Sequence, residues 1–245
     1  KENNADLILA VGGGSVMDCC KAISLGAKYD GDIWADFWAR PGVIDFEPLP
    51  LGIIVTVSGT GSECNGGAVI TNEELKIKTG KDYPQLNAKF VMLDPTYTYS
   101  VPEFQMVSGA FDTLSHIMEI YFSEPNESNV SDDISEALMK NVITNLRAAI
   151  KNPEDYTARS NLMWDATMAE NRIIKRILSA TKWSISSAHT LTVTTVQVLP
   201  FFTLFITDIF VSQAKRSLLS LQLMFGAFQK TAKQTKSLQR QVLRP

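Results

Sequence analysis

Asp112 and His116 are the residues of this sequence that most directly suggest chemistry. They stand four positions apart in the segment FDTLSHIME, so a helix would bring them onto one face, about one turn apart. A carboxylate and an imidazole so placed are half of a mixed oxygen and nitrogen site for a divalent metal ion. The same pattern is typical of a solvated helix face, and the chain's only other histidine is His189. A metal site would need ligands beyond this pair.

A glycine turn at residues 12–14 is the second candidate. The apolar run ADLILAV precedes it, and Ser15 and a helical pattern that ends near Gly26 follow it. This order predicts a strand, a tight turn and a helix with Ser15 as its N-cap. Glycines let the backbone approach a phosphate, and the free N–H groups of a helix start favour its negative charge. The motif is not GxGxxG, so phosphate binding and an ordinary turn both remain open.

A loop of small hydroxyl residues, TVSGTGSE, follows the next apolar run at residues 56–63. Ligands of parallel sheets lie at the carboxyl ends of the strands, so Thr56 and Thr60 are placed to contact the same ligand as the glycine turn. An ordinary Gly/Ser turn is the alternative interpretation.

The elements that must position these residues follow from the apolar runs. Residues 5–11, 51–57 and 88–95 read as buried strands, and their spacing predicts a parallel α/β layer with helices between the strands. After Pro102 the pattern changes to amphipathic helices, which predicts a domain boundary near Val101.

The last third of the chain has a different composition. Residues 1–175 contain 14 basic and 25 acidic residues, whereas residues 176–245 contain 9 and 1, and the whole carries a net charge of -3. Three cysteines without CxxC spacing predict no disulfide framework and suit a reducing cytosol. The most apolar run, residues 198–206, is far shorter than the roughly twenty residues of a membrane-spanning helix.

Four motifs stand in one order along the chain: AVGGGSVMDCCKAIS, TVSGTGSECNGGAVIT, VMLDPTYTYSVPEFQMVSGAFDTLSHIMEIYF and NLMWDATMAEN. Together they resemble the iron-containing alcohol dehydrogenase family, in its butanol-dehydrogenase-like branch, over residues 1–175. The resemblance implies an α/β fold of dehydroquinate-synthase-like architecture. Residues 1–101 would form a partial Rossmann-like nucleotide-binding domain, and residues 102–175 would start an all-α metal-binding domain.

The resemblance also assigns a role to individual residues. NAD or NADP would be bound by Gly12, Gly13, Gly14, Ser15, Thr56, Thr60 and Leu93, with Lys78 added from a weaker part of the likeness. Asp112 and His116 would be catalytic, as two of the four ligands of Fe²⁺ or Zn²⁺. In that chemistry the metal polarises an alcohol oxygen and the nicotinamide takes or gives the hydride. A cytoplasmic homodimer acting on small alcohols or aldehydes is implied, with no nucleic acid or membrane partner.

The sequence departs from the family in two places. A further N-terminal α/β segment is expected before residue 1, and the chain lacks it. Two more histidine ligands are expected after NLMWDATMAEN, one in an EH-x-L helix and one in an HGAGLA-like segment, and neither is present.

A shift of reading frame near Lys175 would explain the missing histidines. In a shifted frame, each residue is encoded by the third base of one present codon and the first two bases of the next. With allowed codons, the consecutive residue pairs from 175–176 to 199–200 can encode the sequence EDFECHKVEHQLGAYFDCNHGAGLA. Trp183 followed by Ser184 permits only Glu or Val at that point, so the agreement is constrained. We therefore interpret residues 176–245 as an out-of-frame tail without a defined fold, arising from a sequencing or assembly error or from a pseudogene.

The out-of-frame interpretation leads us to expect little activity from the chain as it stands. A real, divergent tail with a membrane or partner role is one alternative, and the chain would then be a non-catalytic product. A related metal-dependent lyase of the same architecture is another.

Overall fold

The computed structural model describes residues 4–121 and 130–174. In chain order its strands and α-helices are β1 (Ile8–Gly12), α1 (Gly14–Gly26), β2 (Leu51–Val55), β3 (Gly67–Asn72), β4 (Ile77–Asp82), β5 (Phe90–Met92), α2 (Glu103–Tyr121), α3 (Val130–Lys151) and α4 (Tyr156–Glu170). The three strands expected from the apolar runs correspond to β1, β2 and β5, and each is shorter than its run.

A parallel sheet organises the first part of the chain, with the strand order β1-β2-β5. Its register pairs Ile8 with Leu51 and Ile53 with Val91. One face packs against Met17 of α1 and Met163 of α4 in a buried apolar cluster. The sheet is therefore covered on this side by both the first helix and the last described one.

The opposite face of the sheet is more open. Four apolar side chains on this face are 44–54% exposed: Leu9, Val11, Phe90 and Met92. A Cβ on Gly52 would lie 2.3 Å from Cζ of Phe90, so only glycine leaves room for that ring. Parallel sheets usually have both faces covered, and the described residues cover one.

An antiparallel hairpin, β3 and β4, connects β2 to β5, with Gly67 paired to Asp82 and Asn72 to Ile77. The expectation of helices between all strands is wrong here. β-branched residues are frequent in the segment, including Val69 and Ile70, and they favour a pleated strand over a helix.

The start of α1 also differs from the prediction. Gly13 is the N-cap, and its carbonyl accepts hydrogen bonds from the N–H groups of Val16 at 3.0 Å and Met17 at 3.1 Å. Because Gly14 already belongs to the helix, the helix begins before Ser15, which lies exposed in the first turn rather than at the cap.

The second part of the described chain is helical and begins at Glu103, next to the predicted boundary. α2, α3 and α4 share a buried core that includes Leu114, Ile117 and Val142. A parallel sheet followed by helices confirms the predicted fold class.

Side-chain amides join α3 to α4 along one line. Asn161 Nδ2 donates to Asn145 Oδ1 at 3.0 Å, and Asn145 Nδ2 donates to Asn141 Oδ1 at 2.9 Å. Asn141 Nδ2 then lies 3.0 Å from both carboxylate oxygens of Asp165, which is 1% exposed. This amide ladder, residues 161, 145, 141 and 165, ends on a buried carboxyl.

None of the helices in the described ranges is long and apolar enough to cross a membrane. The predicted out-of-frame tail, residues 176–245, lies outside the described residues.

Candidate functional site

The carboxyl ends of the three parallel strands bring the predicted cofactor residues together. Gly12 ends β1, and its carbonyl accepts a hydrogen bond from the N–H of Thr56 at 3.1 Å, directly after β2. Leu93 follows β5 and packs against the apolar cluster of β1 and β2. These residues thus meet at one edge of the sheet, where ligands of such sheets bind.

The glycine turn and the loop at residues 56–63 are packed onto each other. A Cβ on Gly14 would lie 2.6 Å from Cγ2 of Thr60, and a Cβ on Gly13 would lie 3.2 Å from Cβ of Val57. No side chain caps α1, and its first turn contains no acidic residue. The N–H groups at the start of α1 therefore have no side-chain acceptor and no acidic neighbour in the first turn, which suits the binding of a phosphate.

A buried lysine holds the 56–63 loop onto α1. Lys21 is fully buried, and its Nζ donates to Ser62 O at 2.6 Å, Ser62 Oγ at 2.8 Å and Gly67 O at 2.7 Å. Ser62 Oγ in turn donates to Asp18 Oδ1 at 2.7 Å. Burial lowers the pKa of Lys21 and raises the pKa of Asp18. These two residues were not among the predicted set, although a DxxK pair on a helix is a visible signal.

Lys78 lies on β4, paired with Thr71 of β3. Its positive charge is close enough to Asp18 to oppose the rise of that carboxyl's pKa. Lys78 therefore lies within electrostatic reach of Asp18 of α1.

Asp112 and His116 lie on one face of α2, as predicted. His116 Nε2 is 3.7 Å from Asp112 Oδ2, and His116 Nδ1 is 2.9 Å from Glu170 Oε1 of α4. Burial disfavours the charged imidazole, but the carboxylates of Glu170 and Asp112 outweigh it and raise the pKa of His116. The ring is therefore held between two acids. Glu170 was missed by the sequence reasoning, although it stands in the motif NLMWDATMAEN.

The donor set of this pair fits a divalent metal in part. Two donors each about 2.1 Å from one ion can be at most about 4.2 Å apart, and the Nε2 to Oδ2 distance of 3.7 Å lies inside that limit. Across residues 4–121 and 130–174 no three or more His, Cys, Asp or Glu side chains group so as to hold a metal ion. The described residues thus offer two of the four donors that the predicted metal site would need.

The last turn of α4 connects the predicted cofactor edge of the sheet to the helical part. Thr167 Oγ1 donates to Glu63 Oε1 at 2.6 Å, and Asn65 Nδ2 donates to Glu170 Oε2 at 3.2 Å. Gly61, at φ +60°, packs on the stem of Glu170, where a Cβ would lie 2.4 Å from Cβ of Glu170. The loop that lines the predicted cofactor site therefore rests on the residue that contacts His116.

A small cavity of about 20 Å³ lies behind the same loop, lined in part by Ser58, Thr113 and Arg159. Among the described residues, one guanidinium nitrogen of Arg159 is buried without a hydrogen-bond partner. The space suffices for about one water molecule, so it is too small for a nucleotide or substrate.

Two sequence models of one family match the chain. The model described as iron-containing alcohol dehydrogenase matches residues 1–95, and the model of the Fe-containing alcohol dehydrogenase family, C-terminal, matches residues 106–195. The second match continues past Lys175 into the segment interpreted as out of frame.

Curated relatives agree with the family match. NADH-dependent butanol dehydrogenase A of Clostridium acetobutylicum is 43% identical over 184 residues, which are 75% of this chain and 46% of that protein. NADPH-dependent aldehyde reductase YqhD of Escherichia coli is 36% identical over 177 residues, 71% of this chain and 45% of that protein. The chain thus spans about half the length of the curated relatives it matches.

Solved structures share the fold. The NADH-dependent butanol dehydrogenase A of Thermotoga maritima superimposes with a TM-score of 0.78 at 31% identity, covering 93% of this chain and 62% of that one. A sulfoacetaldehyde reductase of Bifidobacterium kashiwanohense, in complex with NAD⁺, gives a TM-score of 0.72 at 25% identity, covering 82% and 54%.

Proposed function

Because the chain belongs to the iron-containing alcohol dehydrogenase family, we propose that the protein is a metal-dependent, NAD(P)-linked alcohol dehydrogenase or aldehyde reductase for small primary alcohols. The observation that carries the proposal is the Asp112–His116 pair, separated by one loop from the uncapped glycine turn. A metal-binding pair beside a dinucleotide surface is the arrangement that hydride transfer to a carbonyl needs.

The chain's own residues take three tasks in this proposal. Gly12, Gly13, Gly14 and Ser15 bind the pyrophosphate through backbone N–H groups at the start of α1. Thr56, Thr60, Lys78 and Leu93 line the rest of the dinucleotide site. Asp112 and His116 ligate the metal, Fe²⁺ or Zn²⁺, through a carboxylate oxygen and Nε2. The bound metal would polarise the substrate oxygen, and the bound nicotinamide would exchange a hydride with the adjacent carbon.

The names of the relatives support both forms of the cofactor. Butanol dehydrogenase A of Clostridium acetobutylicum is described as NADH-dependent and YqhD as NADPH-dependent. The same names support a small alcohol or aldehyde as the substrate. We extend the proposal to a cytoplasmic homodimer, supported by the resemblance to the family and by the free thiols of Cys19, Cys20 and Cys64.

The 245-residue chain by itself is expected to turn over little substrate. Among the residues that the structure describes, Asp112 and His116 offer half of the four donors that such an ion takes, and half a shell binds a divalent ion weakly. Sequencing the DNA across the codons for residues 170–180 tests the reason we propose for this. A single uninterrupted frame encoding the tail would rule out the frame shift.

Cofactor binding is tested with the chain as it is. NADH and NADPH titrations, followed by the fluorescence of the nicotinamide, should show binding that Gly14→Ala abolishes, because the added Cβ would collide with Thr60. Gly26→Ala is the matched control, since its Cβ would meet Ile33 at an ordinary 3.5 Å. An equal loss of cofactor binding in both variants, or no loss of binding in either variant, would contradict the assignment.

The reaction is tested with the frame restored after Lys175. NADH or NADPH oxidation by butanal in the presence of Fe²⁺ or Zn²⁺ is the expected result, and Asp112→Asn should remove it. Failure to turn over any aldehyde, with both metals and both cofactors, would count against a dehydrogenase and in favour of a lyase of the same architecture.

A further inference from the structure

The two ring nitrogens of His116 have different surroundings. Nδ1 lies 2.9 Å from Glu170 Oε1, a hydrogen-bond distance, whereas Nε2 lies 3.7 Å from Asp112 Oδ2, too long for a hydrogen bond. A proton on Nδ1, the nitrogen in close contact with Glu170, would leave the Nε2 lone pair for a metal. A histidine that ligates a metal commonly donates its other ring N–H to a carboxylate, which fixes the tautomer and the ring orientation.

Glu170 is itself held from the opposite side. Asn65 Nδ2 donates to Glu170 Oε2 at 3.2 Å, and Asn65 Oδ1 accepts from the N–H of Gly67 at 2.9 Å. The backbone donor fixes which way the Asn65 amide points, because a flipped amide would place two donors together. The carboxylate of Glu170 is therefore oriented by the start of β3 before it meets His116.

We infer that Glu170, oriented by Asn65, is a positioning residue that sets the tautomer and angle of His116 for metal binding. The inference rests on the proposed function, since it assigns Glu170 a task in the same metal site. Both carboxylate oxygens of Glu170 are engaged by side chains, so Glu170 acts through His116 and does not serve as a third ligand. The same contact links the metal pair to the cofactor loop, because Gly61 packs on the Glu170 stem.

Four variants separate positioning from general support of the fold. Glu170→Leu removes the acceptor, and Glu170→Gln keeps an oxygen for His116 but turns an amide donor toward Asn65. Asn65→Asp places a second carboxylate against Glu170. The double variant E170Q/N65D exchanges acid and amide, so it restores the amide–carboxylate hydrogen bond, an oxygen facing His116 and the total charge. Glu154→Gln, on the exposed turn before α4, is the matched control.

Imidazole ¹⁵N spectra of the metal-free chain give the first measurement, at a pH at which the ring is neutral. The chain has two histidines, so His189→Gln assigns both. Wild type, E154Q and E170Q/N65D should show His116 protonated on Nδ1. E170L should show it protonated on Nε2, because Asp112 is then the carboxylate left beside the ring.

Titration with Co²⁺, monitored through the broadening of the His116 ring signals, is the second measurement. E170L should require about 10–100-fold more Co²⁺ for half-saturation, E170Q and N65D intermediate amounts, and E170Q/N65D close to the wild-type amount. Urea midpoints of all variants show whether each one folds.

The outcomes distinguish this inference from the proposed function. An unchanged tautomer and an unchanged Co²⁺ requirement in E170L would overturn the inference and leave the metal pair standing. Absence of Co²⁺ broadening in the wild type would contradict the metal site, whereas the tautomer spectra would still decide whether Glu170 positions His116. A double variant no better than its single parents would overturn the part assigned to Asn65.

Discussion

Asp165 should make the stability of the protein fall as pH rises, opposite to the usual behaviour of a carboxylate. It is 1% exposed between α3 and α4, and burial raises its pKa from an ordinary 3.8 to about 6 against the opposing hydrogen bond from Asn141. A folded-state pKa above the unfolded one means that the folded protein binds the proton more tightly. The stabilisation is therefore complete below about pH 3.8 and is lost as pH rises through about 6.

The size of the effect follows from the same pKa difference. At about 1.4 kcal/mol for each pH unit, the rise from 3.8 to about 6 amounts to about 3 kcal/mol of unfolding free energy. Urea unfolding of wild type and Asp165→Asn between pH 4 and pH 8 measures it. Asparagine does not titrate, so the unfolding free energy of D165N minus that of wild type should increase by about 2.4 kcal/mol between pH 4 and pH 8, because the unfolded carboxyl is already partly ionised at pH 4.

Any constant effect of the new amide cancels in that comparison. Asn161→Ala is the control, because it removes an amide from the same ladder and no carboxyl, and its difference from wild type should not change with pH. A D165N difference that is flat between pH 4 and pH 8 would refute the reasoning, since Asp165 would then have one pKa in both states.

Three further predictions follow from buried or strained groups. Lys21→Met should lower the free energy of unfolding by about 3–5 kcal/mol in urea, because it leaves buried acceptors and a carboxylate without their cation; an effect below about 1 kcal/mol would contradict the buried network. Gly61→Ala should cost about 1–3 kcal/mol in the same assay, since it forces a side chain into the left-handed region and into the stem of a glutamate, whereas Gly26→Ala should change stability by less than about 1 kcal/mol. Cys64, whose pKa burial raises to about 12, should resist iodoacetamide at pH 8 while the exposed Cys19 is alkylated; mass mapping that finds Cys64 modified first would contradict this.

Much of the fold could be predicted because its signals are local. The runs at residues 5–11 and 51–57 are apolar and bounded by glycine-rich turns, which is sufficient to place β1 and β2. The hairpin of β3 and β4 was missed because the apolar run of β3 is only three residues long and β4 is half-exposed and carries charged residues. Its register depends on pairing partners that a single strand does not reveal.

The candidate site was predictable in its residues and not in its contacts. Asp112 and His116 are one helical turn apart, so their proximity follows from helix geometry alone. Glu170 lies 54 positions after His116 in the sequence, and nothing local to either residue indicates that they touch. Lys21 was missed for the same reason, since its acceptors lie 41 and 46 positions away.

The contacts of α4 with the cofactor loop have a consequence for the order of assembly. Thr167 with Glu63, and Asn65 with Glu170, join positions 104 and 105 residues apart. At about 5–20 residues per second of synthesis, the loop leaves the ribosome on the order of 5 to 20 seconds before the helix that anchors it. The proposed nucleotide surface is therefore completed late in folding, because the nascent α/β part lacks this anchor until α4 has been synthesised.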